Sequence, residues 1–327
     1  MTTFITFKSS IDKTPHYCDR KYGEAVADRF YYMKDWGFLR FVPFWSLLRG
    51  FVNSFSVPED DVYLCNGVAE LFPVYYKTKR SDIITLVKEQ IFWDLPQMSE
   101  NRRKFILKVL SINKGFITDT ERLRAMIKKY CNIKVEVCSP FCAQPFLENR
   151  PQINAKSIVF VGAHSPNKGY GQLLEAFKII KKTDTEWELY MIGSCAKNIT
   201  EQIDGVHVLG YVRDIRPYMS KCSIYVHPAY FEPFGITVLE AMSGGVIPIV
   251  TKATGSSEVL EKNSLPFLIV EDNKPETLAQ KIVEVYNYST AKKKKISAKC
   301  KSIVKKGYLE EKGVKQFRRA FDIIMDN

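Results

Sequence analysis

Several features common in other protein classes are missing from this chain of 327 residues. No uncharged apolar run approaches the roughly 20 residues that span a bilayer, and the first residues, MTTFITFKSS, are too short and polar for a secretory signal. The expected location is therefore the cytoplasm, with a peripheral position on the inner face of a membrane left open. The eight cysteines form no Cys-x-x-Cys pair and have no histidine at zinc-finger spacing, so we expect reduced core thiols and no metal-binding residues.

Three motifs of nucleotide and metal chemistry are also absent. No Asp-x-Asp occurs anywhere, no P-loop pattern is present, and the pair Gly169-x-Gly171 lacks the third glycine of a dinucleotide fingerprint. A nicotinamide dehydrogenase and a P-loop phosphotransferase are therefore disfavoured.

The chain is strongly basic, with a formal net charge of +12. This charge implies an anionic partner: nucleotide phosphates, nucleic acid or an acidic membrane surface. Part of the excess lies in AKKKKISAKCKSIVKK, where apolar residues recur at helical spacing and leave the lysines on the opposite face. We expect this run to be a solvated helix face, with an anion-binding surface as the alternative.

The order of apolar segments predicts an α/β protein with two domains. Short apolar runs alternate with helical patterns up to about residue 140, and a second such series begins at SIVFVGA. The segment between them, CSPFCAQPFLENRPQINAK, contains three prolines and predicts a linker. We expect two Rossmann-like parallel-sheet domains, residues 1–145 and 146–327, facing across a cleft, with the last helix free to pack back on the first domain.

Two glutamates flank the start of one short helix in the segment HPAYFEPFGITVLEAMSGGVIPIVTKATGSSE. SIYVHPA predicts a buried strand, EPFG a turn, and ITVLEAMS a helix that ends at Gly244 and Gly245. Glu232 precedes the helix and Glu240 lies more than one turn inside it, so the carboxylates can reach different hydroxyl-bearing parts of one ligand. A helix start offers unpaired N–H groups that can hold a diphosphate, so the arrangement suits a nucleotide-sugar donor.

A second candidate segment is the strand, polar loop and helix of VGAHSPNKGYGQLLEAF. Lys168 can supply a compact positive charge to a phosphate, and Gly169 permits close approach of the backbone. On its own, this loop also fits a solvent-facing turn. It indicates a phosphate site only in combination with the two glutamates.

Together these segments resemble the retaining, family 4 glycosyltransferases of the GT-B fold. The resemblance is clearest from residue 157 to about 260, and it rests on EPFGITVLE, which is similar to the family's Glu-x7-Glu signature. HPA, EAMSGGVIPIV and GSSE flank that signature. The resemblance implies a nucleotide-diphosphate sugar as donor substrate, a second domain that binds this donor, and a first domain that holds the acceptor.

Residue roles also follow from the resemblance. It implies two catalytic residues: Glu232, which would contact the donor sugar hydroxyls, and Lys168, which would neutralise the departing diphosphate. Glu240 would bind the ribose diol. Because a lysine and a helix terminus can stabilise the leaving group, no metal or cofactor is expected. The other implied donor contacts are Gly162, Gly169, Tyr211, Val212 and the backbone N–H groups of Phe234, Gly235 and Ile236.

Two departures from the family pattern keep other functions open. Ala163 stands where the family has an arginine, and the N-terminal histidine is missing from the corresponding region, IITLVKEQIFWDLP. The alternative is a catalytically weak GT-B domain that binds a sugar nucleotide or a partner without turnover. Transfer to nucleic acid fits the basic charge but is disfavoured, because the C-terminal half lacks interleaved aromatic and basic residues.

Acceptor choice is expected in the first domain, where residues 29–55 combine ten aromatic with four basic residues. The simpler interpretation is that these side chains fill an ordinary α/β core. The alternative is contact with an anionic membrane surface, in which case the acceptor would be a lipid-linked sugar or glycolipid rather than another glycan.

Overall fold

The computed structural model describes residues 1–7, 17–34, 45–77, 82–88, 91–143, 145–199 and 201–326. It divides into two compact units, the first comprising Met1–Pro140 with Glu310–Asn327 and the second Phe141–Leu309. The predicted domain boundary at residue 145 falls shortly after this division. Each unit is a parallel sheet with flanking helices, which confirms the predicted α/β class.

The sheet of the first unit has six described strands in the order β2-β1-β3-β4-β5-β6, all parallel. Every residue of β4 is buried, which explains why IITLV is a continuous apolar run rather than an alternating one. The strands are β1 Thr2–Phe7, β2 Arg29–Met33, β3 Val62–Cys65, β4 Ile83–Val87, β5 Gly115–Thr118 and β6 Lys134–Val137. The helices before the linker are α1 Tyr17–Val26, α2 Trp45–Ser54, α3 Val68–Lys77, α4 Ile91–Asp94, α5 Glu100–Leu110 and α6 Glu121–Lys128.

The sheet of the second unit also has six described strands, in the order β12-β11-β10-β7-β8-β9. The chain builds outward from β7 to β9 and then returns to the other side of β7 with β10, so the strand order reverses between β7 and β10. The strands are β7 Ser157–Val161, β8 Glu188–Ile192, β9 Val206–Gly210, β10 Ile224–His227, β11 Ile247–Thr251 and β12 Ile269–Val270.

Helices flank this second sheet, and the lysine-rich run forms one of them. Ile296, Cys300 and Val304 of that run are buried while Lys294 and Lys295 are exposed, as the helical spacing predicted. Lys293 departs from the prediction, because it is buried and donates to the carbonyl of Tyr286 at 2.9 Å. The helices are α7 Tyr170–Thr183, α8 Arg216–Lys221, α9 Ile236–Gly244, α10 Ser257–Lys262, α11 Pro275–Tyr286 and α12 Thr290–Gly307.

The last helix, α13 Glu310–Met325, belongs to the first unit. The rings of Phe317 and Tyr22 stack with centroids 4.3 Å apart. The ammonium groups of Lys114 and Lys134 donate hydrogen bonds of 2.9 and 2.7 Å to the carbonyls of Met325 and Ile323. Two cations therefore cap the negative end of the α13 dipole and hold the helix on the first unit.

Candidate functional site

The loops that carry the predicted catalytic residues leave the second sheet at neighbouring strand ends. β7 and β10 pair in parallel, with Ile158 opposite Ile224 and Val159 opposite Tyr225. Their carboxyl ends therefore lie side by side where the strand order reverses, which is the position where open α/β sheets usually bind ligands. Lys168 follows β7 and Glu232 follows β10, so the fold brings both residues to this point.

A chain of polar contacts joins these two residues to α9. The Lys168 ammonium donates to Glu232 Oε2, and His227 Nε2 lies 3.3 Å from the same oxygen. The other ring nitrogen of His227 is 3.0 Å from the hydroxyl of Tyr225, which is 2.7 Å from Thr237 Oγ1. The sequence pattern did not single out His227, which stood there only as the first residue of HPA. The signal that could have singled it out is a polar residue at the end of a strand that is otherwise apolar.

The environment of Glu232 stabilises its charged form. Burial alone would raise the pKa of Glu232, but the hydrogen bond and charge of His227, and the charge and hydrogen bond of Lys168, lower it to about 2. Glu232 is therefore ionised at neutral pH. Because its side chain is 12% exposed and that of Lys168 is 26% exposed, the pair is shielded but still reachable from solvent.

The second glutamate of the pair has the opposite environment. Burial raises the pKa of Glu240 to about 7, and none of the described residues donates a hydrogen bond to its carboxylate. The side chain is partly exposed, so a ligand could reach this carboxylate, and a ligand that supplied hydroxyl donors would offset the cost of its desolvated charge. Strongly shifted carboxyl groups with divergent environments are typical of functional sites.

The start of α9 presents backbone donors beside Glu232. Within the described ranges, the N–H groups of Phe234 and Gly235 donate to no backbone or side-chain acceptor. Ile236 is the first residue of α9, where a backbone N–H has no partner inside the helix. This cluster of donors, at the positive end of the helix dipole, is suited to an anion such as a phosphate.

The glutamate turn is held by the loop that follows β11. The N–H of Glu232 donates to the carbonyl of Ala253 at 3.2 Å, and the N–H of Gly255 donates to the carbonyl of Glu232 at 2.8 Å. A Cβ atom added at Gly255 would lie 1.9 Å from the carbonyl oxygen of Pro233. The glycine of GSSE is thus needed for this close approach, while Glu258 lies in the first turn of α10.

The lysine loop sits directly on the chain that leaves β10. Gly169 has a φ of +68°, and a Cβ atom added there would lie 1.9 Å from the carbonyl oxygen of Pro228. The N–H of Tyr230 donates to the carbonyl of Asn167 at 2.8 Å. These backbone contacts join the two loops and position Lys168 beside the glutamate turn.

Residues 155–288 match the protein-family model described as Glycosyl transferases group 1. The matched segment lies within the second unit, which is therefore similar to a glycosyltransferase domain. The chain is 31% identical over 113 residues to the Bacillus subtilis glycosyltransferase YqgM, and 30% identical over 142 residues to the glycosyltransferase MJ1178 of Methanocaldococcus jannaschii. These alignments cover 32% and 41% of this chain and span only 32% and 39% of the two relatives.

Solved structures extend the likeness to both units. The Anabaena protein HepE, crystallised in complex with UDP and glucose, superposes with a TM-score of 0.76 at 15% identity. The superposition covers 98% of this chain and 99% of HepE. At this identity the match establishes the fold, and the GT-B class predicted from the sequence is confirmed.

Glycines line the carboxyl edge of the sheet in the second unit. Gly162 follows β7, Gly193 follows β8, and Gly210 ends β9. The N–H of Gly162 donates to Ile192 O at 2.9 Å, and the N–H of Gly193 donates to Gly210 O at 2.7 Å. Only Gly162 was predicted from the sequence. A glycine directly after each apolar strand, as in YMIG and VLG, is the signal for the other two.

The remaining predicted donor contacts lie farther along this edge. Tyr211 and Val212 follow β9, which is separated from β7 by β8. Tyr211 is 69% exposed, so its ring is available to a ligand, whereas Val212 packs partly against the core. Ala163, the residue that departs from the family pattern, is exposed directly after Gly162.

A separate polar cluster lies at the carboxyl edge of the first unit's sheet. Asn66 follows β3 and Lys88 follows β4, and both donate to the carboxylate of Asp19 on α1, Asn66 at 3.1 Å. The side-chain oxygen of Asn66 is buried and has no partner within the described part of the chain. Asp19, Asn66 and Lys88 were not predicted as site residues. Lys88 lies in the region that lacks the family's histidine.

The cysteines, the acidic side chains and the helices of the described residues bear on metal binding and on membrane insertion. Each of the eight cysteines is buried and none forms a disulfide, as predicted. In the described part of the chain, no three His, Cys, Asp or Glu side chains are placed to share a metal ion. No helix there has the length and apolar character needed to cross a membrane. Of the aromatic segment 29–55, residues 35–44 lie outside the described residues.

The contact between the lysine loop and β10 predicts an asymmetry between two neighbouring glycines. We expect Gly169→Ala to lower the free energy of unfolding by about 2 kcal/mol or more, because of the left-handed backbone and the clash with Pro228. Gly171→Ala is the matched control, because its added Cβ meets nothing within 4 Å and lies in α7. That variant should be neutral or stabilising by about 0.5–1 kcal/mol. Urea unfolding measures both, and equal losses would contradict the proposed contact.

The raised pKa of Glu240 predicts that its substitution stabilises the protein to an extent that depends on pH. This pKa is about 7 in the folded chain against an ordinary value of 4.5, so ionisation of Glu240 lowers the free energy of unfolding. The full loss applies above pH 7, and there is no loss well below pH 4.5, where the carboxyl is protonated in both states. We expect Glu240→Gln to stabilise the ligand-free protein at pH 8 by up to about 3 kcal/mol, with the gain vanishing near pH 4.

The control for this experiment is Glu284→Gln. A hydrogen bond from Lys281 lowers the pKa of Glu284, so removal of this charge should give no gain at pH 8. Urea denaturation at several pH values measures the difference. A gain for Glu240→Gln that did not change with pH would contradict a desolvated carboxylate without a hydrogen-bond donor.

Proposed function

We propose that the chain transfers a sugar from a nucleotide-diphosphate donor to an acceptor hydroxyl, with retention of the anomeric configuration and without a metal ion. The observation that carries this proposal is the pair of glutamates on either side of the α9 start. Glu232 is ionised and bound to Lys168, whereas Glu240 is half-buried and receives no hydrogen bond from the described residues. A ligand with hydroxyls at both ends and phosphates between them suits this arrangement.

The donor would bind with its diphosphate at the start of α9. The N–H groups of Phe234, Gly235 and Ile236 would hold the phosphates, and Glu232 would accept hydrogen bonds from sugar hydroxyls. Glu240 would accept hydrogen bonds from the ribose diol, which would stabilise its ionised form. That HepE, a protein of the same fold, was crystallised with UDP and glucose supports a donor of this class.

The nucleoside end of the donor would extend along the glycine-lined edge of the sheet. Gly162, Gly169, Gly193 and Gly210 carry no side chains, so a flat group can approach the backbone closely. The exposed ring of Tyr211 offers a face on which a base can stack, and Val212 adds an apolar contact.

In the transfer step, the bond between the anomeric carbon and the diphosphate oxygen breaks as the acceptor oxygen attacks from the same face. The acceptor proton passes to an oxygen of the departing diphosphate, so charge is conserved without a separate protein base. Negative charge accumulates on the leaving group, and Lys168 and the α9 N–H groups would stabilise it. Because Lys168 supplies the positive charge, no divalent ion is needed.

The acceptor would be held in the first unit by the cluster at its sheet edge. The unpartnered Asn66 oxygen can accept a hydrogen bond from an acceptor hydroxyl, and Lys88 can bind an anionic group. These groups suit a glycan or a lipid-linked sugar. We do not propose nucleic acid as the acceptor. The reaction would take place in the cytoplasm, at a membrane if the acceptor is lipid-linked.

A second candidate function is sugar-nucleotide binding without turnover. Ala163 supports it, because the exposed position after Gly162 offers no charge to a phosphate. Both functions require donor binding, but only the transferase requires Lys168 for turnover of the donor.

Substitution of Lys168 separates these functions. We expect Lys168→Ala to reduce donor turnover roughly 100-fold or more, because it removes a charge that stabilises the leaving group. Lys178→Ala is the control, because Lys178 pairs with Glu175 and Glu201 on the surface and should not affect the rate. Release of nucleoside diphosphate with and without EDTA is the measurement. Donor binding with no turnover in the unmodified protein would favour the binding function.

Donor binding itself can be tested with a panel of nucleotide sugars. A donor at 100 times its Kd should stabilise the fold by about 2.7 kcal/mol, and Glu240→Gln should remove most of this shift. Thermal unfolding measures the effect, with the free sugars as controls. If no nucleotide sugar stabilised the protein, both proposed functions would be contradicted.

A further inference from the structure

The two donors that hold Glu232 differ in how firmly they are themselves held. The side chain of His227 is only 2% exposed, and its ring centroid lies 6.1 Å from that of Tyr225 and 6.5 Å from that of Phe160. The three ring planes are nearly parallel, at angles of 21° and 25° to that of His227. Lys168, by contrast, lies on a loop with 26% of its side chain exposed. His227 is therefore the fixed donor of the pair.

The hydrogen bonds of His227 determine which ring nitrogen carries a proton. Glu232 is ionised and can only accept, so the contact of 3.3 Å requires a proton on Nε2. Nδ1 lies 3.0 Å from the hydroxyl of Tyr225, which lies 2.7 Å from Oγ1 of Thr237. Because burial raises the pKa of Tyr225, this hydroxyl keeps its proton, and it can either donate to Nδ1 or accept from it. His227 therefore presents an Nε2–H to Glu232 whether or not Nδ1 is protonated.

Both donors of Glu232 contact the same carboxylate oxygen. The Lys168 ammonium and His227 Nε2 reach Oε2, and no donor in the described part of the chain reaches Oε1. A carboxylate oxygen accepts about two hydrogen bonds, so Oε2 has its partners while Oε1 can accept from a ligand. The side chain of Glu232 is 12% exposed, so a ligand can reach it.

The proposed transfer uses Lys168 in a second place. An ammonium that turns to the departing diphosphate weakens its bond to Glu232. If Lys168 were the only donor, Glu232 would then be a desolvated carboxylate without a partner, and burial raises the pKa of such a group. With His227 in place, Glu232 keeps a hydrogen bond and its charge while Lys168 acts on the leaving group.

We propose that His227 is a positioning residue for the donor sugar: it holds Oε2 of Glu232 from within the sheet and so directs Oε1 to a sugar hydroxyl. Tyr225 supports this role because its hydroxyl satisfies Nδ1. The inference rests on the proposed function, since it requires Glu232 to contact the sugar. It adds a distinction between ligands: a nucleotide sugar gains affinity from His227, whereas a nucleoside diphosphate without a sugar does not.

Isothermal titration calorimetry on the full chain separates positioning from a purely structural role. The probes are the nucleotide sugar that stabilises the unmodified protein most and its own nucleoside diphosphate. We expect His227→Leu to weaken binding of the nucleotide sugar about tenfold or more, because Glu232 loses the donor that orients it. The Kd of the nucleoside diphosphate should change by less than about threefold, because this ligand has no sugar for Glu232 to bind. His227→Gln should restore most of the lost affinity, because its amide N–H can replace the Nε2–H.

The matched control is His207→Leu, because His207 also contacts a glutamate, Glu188, but between β9 and β8 and away from Glu232. Both Kd values should be the same in this variant as in the unmodified protein. If His227→Leu fails to fold by circular dichroism, Tyr225→Phe provides the test, because it removes only the hydroxyl that satisfies Nδ1. It should weaken nucleotide-sugar binding about threefold and leave binding of the nucleoside diphosphate unchanged.

The outcomes distinguish this inference from the proposed function. Equal losses for the two ligands, or a His227→Gln variant as weak as His227→Leu, would overturn the positioning role and leave the proposed function standing. If the unmodified protein bound no nucleotide sugar, the proposed function would fail and this inference would fail with it.

Discussion

The organisation of the second unit depends on one close backbone contact, between the lysine loop after β7 and the chain that leaves β10. At Gly169 the loop approaches the Pro228 carbonyl so closely that no side chain fits. This contact occurs where the strand order reverses, so two loops that would otherwise diverge are held together at one point. The ion pair between Lys168 and Glu232 can form because the backbone has already brought the two side chains together.

Around this contact, the unit places two similar side chains in contrasting environments. Glu232 receives hydrogen bonds from a lysine and a histidine and is ionised, whereas Glu240, on the helix that follows, has no donor among the described residues. Glu232 has its hydrogen-bond donors without a ligand, whereas Glu240 does not. A desolvated carboxylate without a hydrogen-bond donor makes the folded protein less stable, and such a cost is common at sites where a ligand supplies the missing partner. The proposed donor would therefore stabilise the domain through Glu240.

In the first unit too, a close contact at a glycine fixes how an element is oriented. Among the described positions of α2, Gly50, Asn53 and Ser54 are buried, whereas Leu48, Phe51 and Val52 are partly exposed. Backbone proximity at Gly50 and the hydrogen bonds of Asn53 hold the buried face against the unit, so hydrophobicity alone does not decide which face is buried. In both units, close approach at a glycine helps to decide where the neighbouring side chains lie.

The sequence by itself determined the two-domain α/β class and the candidate residues Lys168, Glu232 and Glu240. Periodicity and local turn chemistry depend on neighbouring residues, and a spacing of eight residues around a helix start can be read directly from the chain. Only the tertiary structure identified His227, the row formed by Gly162, Gly193 and Gly210, and the cluster of Asp19, Asn66 and Lys88. The glycine row and the first-unit cluster join segments distant in sequence, and their proximity depends on strand order, whereas the role of His227 became visible only through its contact with Glu232. The outward face of α2 also required the tertiary structure, because apolar spacing predicts which residues share a helix face, whereas packing against α3 decides whether that face meets the core or the solvent.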